Sequence, residues 1–243
     1  MKKIISLSPN CSQKTRPINH IKFIIIHYTG MQSEIESINR LMNIKSKVSC
    51  HYLINRKGTI LQMVPDNKIS WHAGKSKWKS FQNLNNNSIG IELVNKGHEF
   101  GYENFSKPQI NNLILLCKRL KKKYRINDEN FLGHSDIAPL RKTDPGEKFP
   151  WKKLSKFRLG KWYENSKQEF SFININKKKV KSLFFKNLFK IGYRYFSINK
   201  RKKKDDLIIR SFQQRYFPQK VTGKIDKKTY KICHFLANRQ KLA

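Results

Sequence analysis

Short apolar runs recur along the first two thirds of the chain and predict β-strands. They occupy residues 22–28, 48–55, 59–64, 88–95 and 131–133. The second and third runs flank a turn that contains Gly58, which is typical of a β-hairpin. The fourth run alternates, so that Ile89 and Ile91 fall on one face of the predicted strand and Gly90 and Glu92 on the other.

Two stretches between these runs have the spacing of amphipathic helices. Residues 33–45 repeat apolar positions every three to four residues, and residues 107–124 do the same after Pro108, a residue that the first helical turn tolerates. Strands mixed with covering helices predict an α/β fold in which helices cover a mixed central β-sheet. We assign this domain to residues 18–157.

The last third of the chain has helical spacing in three further places. These are residues 177–193, 205–217 and 226–238. They predict a small C-terminal three-helix domain over residues 176–243. Residues 158–175 carry charge and aromatic side chains without a regular period, so we interpret them as a connector.

The chain is strongly basic, with 52 Lys+Arg against 16 Asp+Glu and a net charge of +36. Lysine is spread through every segment, which favours compositional bias over a dedicated surface for a polyanion. Residues 151–243 are the more basic part, with 27 Lys+Arg against 5 Asp+Glu, a net of +22. No aromatic stacking motif accompanies the charge, so we expect no nucleic-acid partner. No apolar run reaches the roughly 18 residues of a transmembrane segment.

The cysteines and the N-terminus bear on the cellular compartment. The four cysteines lack a CxxC pair or regular spacing, which argues against a disulfide framework or a structural zinc knuckle. We therefore expect Cys50 and Cys117 to be buried thiols and Cys11 to be an ordinary one. The N-terminal lysines precede an apolar stretch shorter than the roughly 7–15 residues of a secretory signal, so we find no convincing signal peptide.

Three polar residues are candidates for a metal site. His27 closes the first apolar run, and His134 and Asp144 lie in the segment GHSDIAPLRKTDPG. A histidine at a strand end is by itself more typical of a satisfied structural residue. Two imidazoles and a carboxylate together, however, leave one position of a tetrahedral zinc ion open, which is typical of a catalytic site.

Two charged residues extend this set. Glu92 lies in the middle of a predicted strand, where a buried carboxylate requires a partner or a purpose, unless the side chain faces solvent. Lys142 lies two residues before Asp144, so both side chains fall on the same side of an extended segment, although it is one lysine among many. A metal, a base and a cation suit metal-assisted hydrolysis of an amide.

Six segments, in this order, resemble the zinc-dependent N-acetylmuramoyl-L-alanine amidases of the AmiD/AmpD type, relatives of phage amidases and peptidoglycan recognition proteins. They are FIIIHYT (23–29), SCHYLINRKGTILQMVP (49–65), WHAG (71–74), NNNSIGIELVN (85–95), GHSDIAP (133–139) and RKTDPGEKFPW (141–151). Together they extend over more than half of the chain. The segment FQQRYFPQKVTGKIDKKTY (212–230) also resembles the core of peptidoglycan-binding domains.

The resemblance implies roles for the candidate residues. The two histidines and Asp144 become the ligands of one zinc ion per chain, Glu92 the general base, and Lys142 the group that steadies the oxyanion. The expected substrate-binding residues are Tyr52, Trp71 and His72, each of which also suits structural packing.

By resemblance, the expected function is hydrolysis of the amide bond between the lactyl group of N-acetylmuramic acid and L-alanine. The substrate would be peptidoglycan or muropeptides, in the cell envelope or cytoplasm of a bacterium. The alternative is a non-catalytic peptidoglycan-recognition protein, against which the intact ligand set and Glu92 argue. The C-terminal domain would hold the enzyme on the cell wall, leaving the chemistry to residues 18–157.

Overall fold

The structure, a computed structural model, describes residues 3–163 and 177–238, and for residues 177 and 178 it describes the backbone alone. The strands are β1 (Lys3–Ile5), β2 (Cys11–Thr15), β3 (Phe23–Tyr28), β4 (Tyr52–Ile54), β5 (Ile60–Gln62), β6 (Lys68–Ser70), β7 (Lys77–Trp78), β8 (Phe81–Gln82), β9 (Ser88–Leu93) and β10 (Phe131–Gly133). The α-helices are α1 (Glu34–Met42), α2 (Lys107–Tyr124), α3 (His134–Ile137), α4 (Trp151–Ser155), α5 (Lys177–Ile191), α6 (Asp205–Tyr216) and α7 (Lys227–Asn238). Most of the predicted connector at 158–175 lies outside the described residues.

Six strands form the central sheet in the order β1-β5-β4-β9-β3-β10. β3 pairs in parallel with both β9 and β10, whereas β4 and β5 pair antiparallel across the predicted hairpin. The predicted fold class, a mixed sheet covered by helices, is confirmed. Within the described residues, no helix is long and apolar enough to cross a bilayer.

The apolar run of β3 is continuous because both faces of this strand are covered. Ile24 and Ile26 lie in a cluster on the α2 side of the sheet. Phe23 and Ile25 lie in a second cluster on the opposite side. Because side chains alternate along a strand, His27 follows on the face of Phe23 and Ile25. The position of His27 is therefore determined by the burial of four residues before it.

Helix α2 has the predicted bounds, and its ends show why. The side chain of Ser106 accepts a hydrogen bond from the backbone N–H of Gln109, Pro108 lies in the first turn, and Arg125 in left-handed conformation ends the helix. Leu113 and Cys117 are fully buried against the sheet. The prediction that Cys117 is a buried thiol is confirmed.

The three C-terminal helices form as predicted, but they do not enclose a separate core. Phe184 of α5 and Phe212 of α6 belong to the same apolar cluster as Phe23 and Ile25 of the sheet. We call this set, which joins β3 to the C-terminal helices, the shared apolar cluster. The helices cover one face of the sheet directly, so on that face residues 18–157 have no core of their own, whereas the cluster on the α2 face contains no described residue of these helices.

The segment that resembles peptidoglycan-binding domains is explained by local structure. The side chain of Gln213 accepts hydrogen bonds from the backbone N–H groups of Thr222 and Gly223, and it donates to Thr229 at 3.1 Å. Asp226 accepts from the backbone N–H of Thr229 and so begins α7. The glutamine, glycine, aspartate and threonine of this motif therefore hold a turn between two helices.

Several elements were not predicted from the sequence. Residues 3–5 and 11–15 form strands that pair with β5 and β6. Residues 77–82 form a two-strand hairpin, and a short helix begins at His134. These elements have two to five residues each, too few for a recognisable period. The N-terminal segment thus contributes edge strands to the fold.

Candidate active site

The three candidate ligands converge at one edge of the sheet. β3 and β10 are parallel neighbours, so their carboxyl ends lie side by side. His27 lies near the end of β3, His134 begins α3 directly after β10, and Asp144 lies in the loop that follows. All three side chains are buried, and their ligand atoms lie within 4.8 Å of one another.

The donor atoms form a compact triangle. Nδ1 of His27 lies 3.0 Å from Nδ1 of His134 and 3.0 Å from Oδ2 of Asp144, and Nδ1 of His134 lies 3.1 Å from the same oxygen. Metal–ligand bonds of about 2.0 Å in a tetrahedron separate neighbouring ligand atoms by roughly 3.3 Å. Two imidazole nitrogens and one carboxylate oxygen at this spacing fit a zinc ion with one coordination position open.

Hydrogen bonds on the outer side fix the orientation of His134. Its Nε2 lies 3.1 Å from the carbonyl oxygen of Ala73 and, at a longer 3.3 Å, from Nη2 of Arg141. With Nε2 donating in the shorter contact, Nδ1 is bare. Arg141 donates to the same carbonyl oxygen at 2.5 Å and to that of Lys75 at 3.0 Å. These contacts tie the loop that contains the WHAG segment to the loop that carries Asp144.

Burial and mutual contact keep the ligands in forms that bind a metal. Burial, reinforced by His134, lowers the pKa of His27 to about 4. Burial by itself would raise the pKa of Asp144, but His134 and His27 hold that pKa well below its usual range. A neutral imidazole and an ionised carboxylate are the coordinating forms.

Glu92 faces the triangle from the neighbouring strand. The register of β9 against β3 puts Glu92 directly opposite His27. Its Oε2 atom is buried and has no hydrogen-bond partner among the described residues. Burial, with a smaller effect of Asp144, raises the pKa of Glu92 to about 8, against the opposing influence of Lys142. This oxygen is available to a water molecule beside the triangle.

A cleft of about 750 Å³ opens over the ligands. Glu92, Lys142 and Trp71 line it, as do the three ligand side chains. Lys142 is exposed and lies on the segment that leads to Asp144. The structure thus brings the predicted base, the predicted cation and two predicted substrate-binding residues, Trp71 and His72, to a single opening.

Sequence reasoning assigned no role to several residues of this cleft. Arg40 enters from α1, and His98 and Arg141 enter from loops. Nδ1 of His98 lies 2.9 Å from the hydroxyl of Tyr28, and its Nε2 lies 3.2 Å from Glu147. Arg141 precedes Lys142 in the recognised segment 141–151, so its place in the cleft could have been inferred from the sequence. Arg40 and His98 belong to no motif, and only the fold brings them to the cleft.

Tyr52 lies on the opposite face of the sheet. β4 pairs with β9 so that Leu53, not Tyr52, is opposite Glu92. The hydroxyl of Tyr52 instead donates to Oδ1 of Asp66 at 2.6 Å. The structure therefore does not bring Tyr52 to the cleft, contrary to the predicted role in substrate binding.

His72 contacts His27 on the side of the His27 ring that faces away from His134 and Asp144. Its ring covers Gly90, where a Cβ atom would lie 2.3 Å from Cγ of His72, so only glycine leaves room for the ring. Its Nδ1 lies 3.0 Å from Nε2 of His27. Burial is the largest of the effects that lower the pKa of His72 well below its usual value, and the ring is neutral.

The C-terminal helices hold the short helix that begins with His134. Asp136 of α3 accepts from the backbone N–H of Gly133 at 2.8 Å, from the hydroxyl of Tyr193 at 2.5 Å and from the guanidinium of Arg215. Ser211 of α6 donates to the carbonyl oxygen of Ser135 at 2.7 Å. The C-terminal helices therefore contact both residues that follow the candidate ligand His134.

The segments that carry this site match a known family of enzymes. The Amidase_2 family, described as N-acetylmuramoyl-L-alanine amidase, matches residues 15–147, more than half of the chain. The chain belongs to this amidase family. It is 32% identical over 234 residues to the N-acetylmuramoyl-L-alanine amidase AmiD of Escherichia coli (strain K12), covering 90% of this chain and 83% of AmiD. It is 40% identical over 113 residues to the 1,6-anhydro-N-acetylmuramyl-L-alanine amidase AmpD of the same organism, covering 46% of this chain and 58% of AmpD.

Solved structures extend the similarity to the C-terminal helices. The complex of E. coli AmiD with anhydro-N-acetylmuramic acid-L-Ala-D-γ-Glu-L-Lys aligns with a TM-score of 0.80 and 31% identity, over 94% of this chain and 92% of AmiD. AmpDH3 of Pseudomonas aeruginosa aligns with a TM-score of 0.82 and 28% identity, over 98% of this chain and 99% of AmpDH3. The amidase is an amide hydrolase of peptidoglycan turnover, as the sequence predicted.

Proposed function

We propose that the amidase hydrolyses the bond between the lactyl group of N-acetylmuramic acid and L-alanine, with one zinc ion held by His27, His134 and Asp144. The supporting observation is the triangle of three donor atoms beside an unpartnered oxygen of Glu92. A non-catalytic recognition protein has no use for such an oxygen, because burying an unpaired carboxylate is costly. The site geometry therefore favours catalysis.

The mechanism divides the work among three groups. A zinc ion in this site would polarise the scissile carbonyl and acidify a water molecule to a pKa of about 7. Glu92 accepts a proton from the attacking water and then donates it to the departing amine of L-alanine. The ammonium of Lys142 stabilises the negative charge that develops on the carbonyl oxygen. Trp71, on the wall of the cleft, contacts the muropeptide.

The expected products define the test. Mass spectrometry of anhydro-N-acetylmuramyl-tripeptide treated with the purified amidase should show two fragments, an anhydro sugar with a free lactyl carboxylate and a peptide that begins with L-alanine. Elemental analysis should find one zinc ion per chain. A chelator should abolish cleavage, and added Zn²⁺ should restore it. Cleavage at another bond, or full activity of the metal-free protein, would contradict the proposal.

The form of the substrate follows from the relatives. AmiD is solved with an anhydro-muropeptide and AmpDH3 with an anhydromuramic pentapeptide. We extend this ligand class to the present chain, since its alignment covers nearly all of both relatives. Anhydro-muropeptides are therefore the proposed substrate, with intact peptidoglycan as a second substrate to compare in the same assay.

The C-terminal helices, in this proposal, also hold the amidase on the cell wall. The motif around Gln213 is explained by the turn that it holds between two helices. The support for attachment to the wall is therefore the positive charge of this region. Residues 200, 202, 203, 204, 224, 227 and 228 are exposed lysines of this region. Electrostatic contacts with anionic wall polymers would raise the local concentration of the enzyme at its substrate.

We expect the attachment to weaken with salt. The full-length amidase should sediment with purified sacculi at low ionic strength and be released at about 1 M salt, where screening shortens to roughly 3 Å. Replacing the lysines at 202–204 by glutamine should lower the sedimented fraction several-fold. The same charge change in α2, at Lys107, Lys118 and Lys122, is the control and should have a smaller effect. Equal effects of the two triple variants would assign the attachment to overall charge.

A further inference from the structure

His72 lies in a chain of hydrogen bonds that ends at a proposed zinc ligand. Nε2 of His72 lies 3.1 Å from the hydroxyl of Ser88, and that hydroxyl lies 2.6 Å from the carbonyl oxygen of Leu84. On its other side, Nδ1 of His72 lies 3.0 Å from Nε2 of His27. The chain is buried throughout, with His72 only 9% exposed.

The donor and acceptor of each hydrogen bond in this series follow from its last member, the carbonyl oxygen of Leu84. The carbonyl oxygen of Leu84 can only accept, so the single hydroxyl proton of Ser88 points toward it. Toward His72 the hydroxyl oxygen then accepts, and Nε2 of His72 carries the proton. A neutral imidazole has one N–H, so Nδ1 of His72 is bare.

The same reasoning sets the protonation of His27. A proton on Nε2 of His27 turns its 3.0 Å contact with the bare Nδ1 of His72 into a hydrogen bond, so Nε2 of His27 donates. Nδ1 of His27 is then the free lone pair, and it points at His134 and Asp144. The lone pairs that then meet on Nδ1 of His27, Nδ1 of His134 and Asp144 are those that a zinc ion would bind. The hydrogen bonds from the Leu84 carbonyl through Ser88 and His72 thus leave Nδ1 of His27 unprotonated, as a metal ligand requires.

We propose that His72 is a positioning residue that selects the Nε2–H tautomer of His27 and thereby presents Nδ1 to the metal ion, instead of binding substrate. This role rests on the proposed zinc site. Gly90 makes the arrangement possible, because a side chain there would displace the ring. Asn85 secures it, since its side-chain oxygen accepts from the backbone N–H groups of His72 and Ala73.

Two variants with the same number and branching of side-chain heavy atoms distinguish a hydrogen-bond acceptor at this position from packing alone. His72→Leu removes the acceptor, and His72→Asn keeps an oxygen near the position of Nδ1. Competition with a chelator should show zinc affinity 10–100-fold weaker for His72→Leu, the usual effect of losing the partner of a metal-bound histidine. His72→Asn should recover most of that affinity. Both variants should keep the circular dichroism spectrum of the wild-type protein.

The tautomer itself is read without metal or activity. Long-range ¹H–¹⁵N correlation spectra of the metal-free wild-type protein should show His27 protonated at Nε2, and those of His72→Leu should show a mixture. Protonation of wild-type His27 at Nδ1, or equal zinc affinity of folded His72→Leu and wild type, overturns the proposal. Unchanged zinc affinity with a raised KM would return His72 to substrate binding. The expected tautomer in a wild-type protein that binds no zinc would instead contradict the proposed cofactor.

Discussion

Replacing Glu92 by glutamine should lower kcat by about 10²–10⁴-fold, the usual contribution of a general base, while the fold and the metal content should stay unchanged. The amide has nearly the same shape as the carboxylate but cannot take a proton from water. Oε2 of Glu92 has no hydrogen-bond partner among the described residues, so the replacement breaks no contact of that atom. Steady-state hydrolysis of a soluble anhydro-muropeptide and zinc analysis of the same samples measure both quantities.

A second glutamate of the cleft provides the matched control. Glu99 also lines the opening, but it is exposed and lies on a loop outside the sheet. Glu99→Gln should therefore keep kcat within a few-fold of the wild-type value. If Glu92→Gln instead loses zinc, Glu92 is a ligand or a structural support, and the general base must be sought elsewhere in the cleft.

Replacing Arg215 by methionine should lower the free energy of unfolding by about 3–5 kcal/mol, the usual cost of leaving one charge of a buried ion pair without its partner. The side chains of Arg215 and Asp136 are 3% and 1% exposed. Arg215 also donates to the carbonyl oxygen of Phe131 at 2.9 Å, and its guanidinium stacks 4.0 Å above the ring of Trp151. Urea unfolding of the full-length protein measures the loss.

Two further variants identify the cause. Arg210 lies on the same helix but is exposed, so Arg210→Met should change stability by less than about 0.5 kcal/mol. Asp136→Asn combined with Arg215→Met should recover part of the stability, because no buried charge is then left unpaired. A double variant as unstable as the single one would assign the loss to packing on Trp151.

The contacts of Arg215 show that the C-terminal helices support the part of the chain that carries the candidate site. The sequence divides the chain into a catalytic domain at 18–157 and an accessory domain at 176–243. In the structure, the accessory helices complete the shared apolar cluster and hold Asp136, two residues after the candidate ligand His134. Truncation near residue 157 would expose one face of the sheet, so the wall-binding and catalytic roles are best separated by point variants.

The local elements with a strong period were predictable from the sequence. The strand at 22–28, the alternation around Glu92 and the bounds of α2 depend on side-chain spacing and on residues at the helix ends, which are properties of contiguous sequence. The candidate ligands were predictable as well, because His27 and His134 lie at the ends of strands that parallel pairing brings to one edge, with Asp144 in the loop that follows. The strands at 3–5, 11–15, 68–70, 77–78 and 81–82 were missed because their two to five residues are too few for a recognisable period.

The sequence by itself determined the enzyme family, the mixed sheet, the candidate ligands and the C-terminal helices, through local spacing and through motifs that each lie within one segment. Only the tertiary structure decided what distant segments do for one another. Strand register turned Tyr52 away from the cleft, the space above Gly90 placed His72 against His27, and the packing of α6 joined Arg215 to Asp136. These outcomes depend on contacts between residues far apart in the chain, and side-chain periodicity within one element carries no information about them.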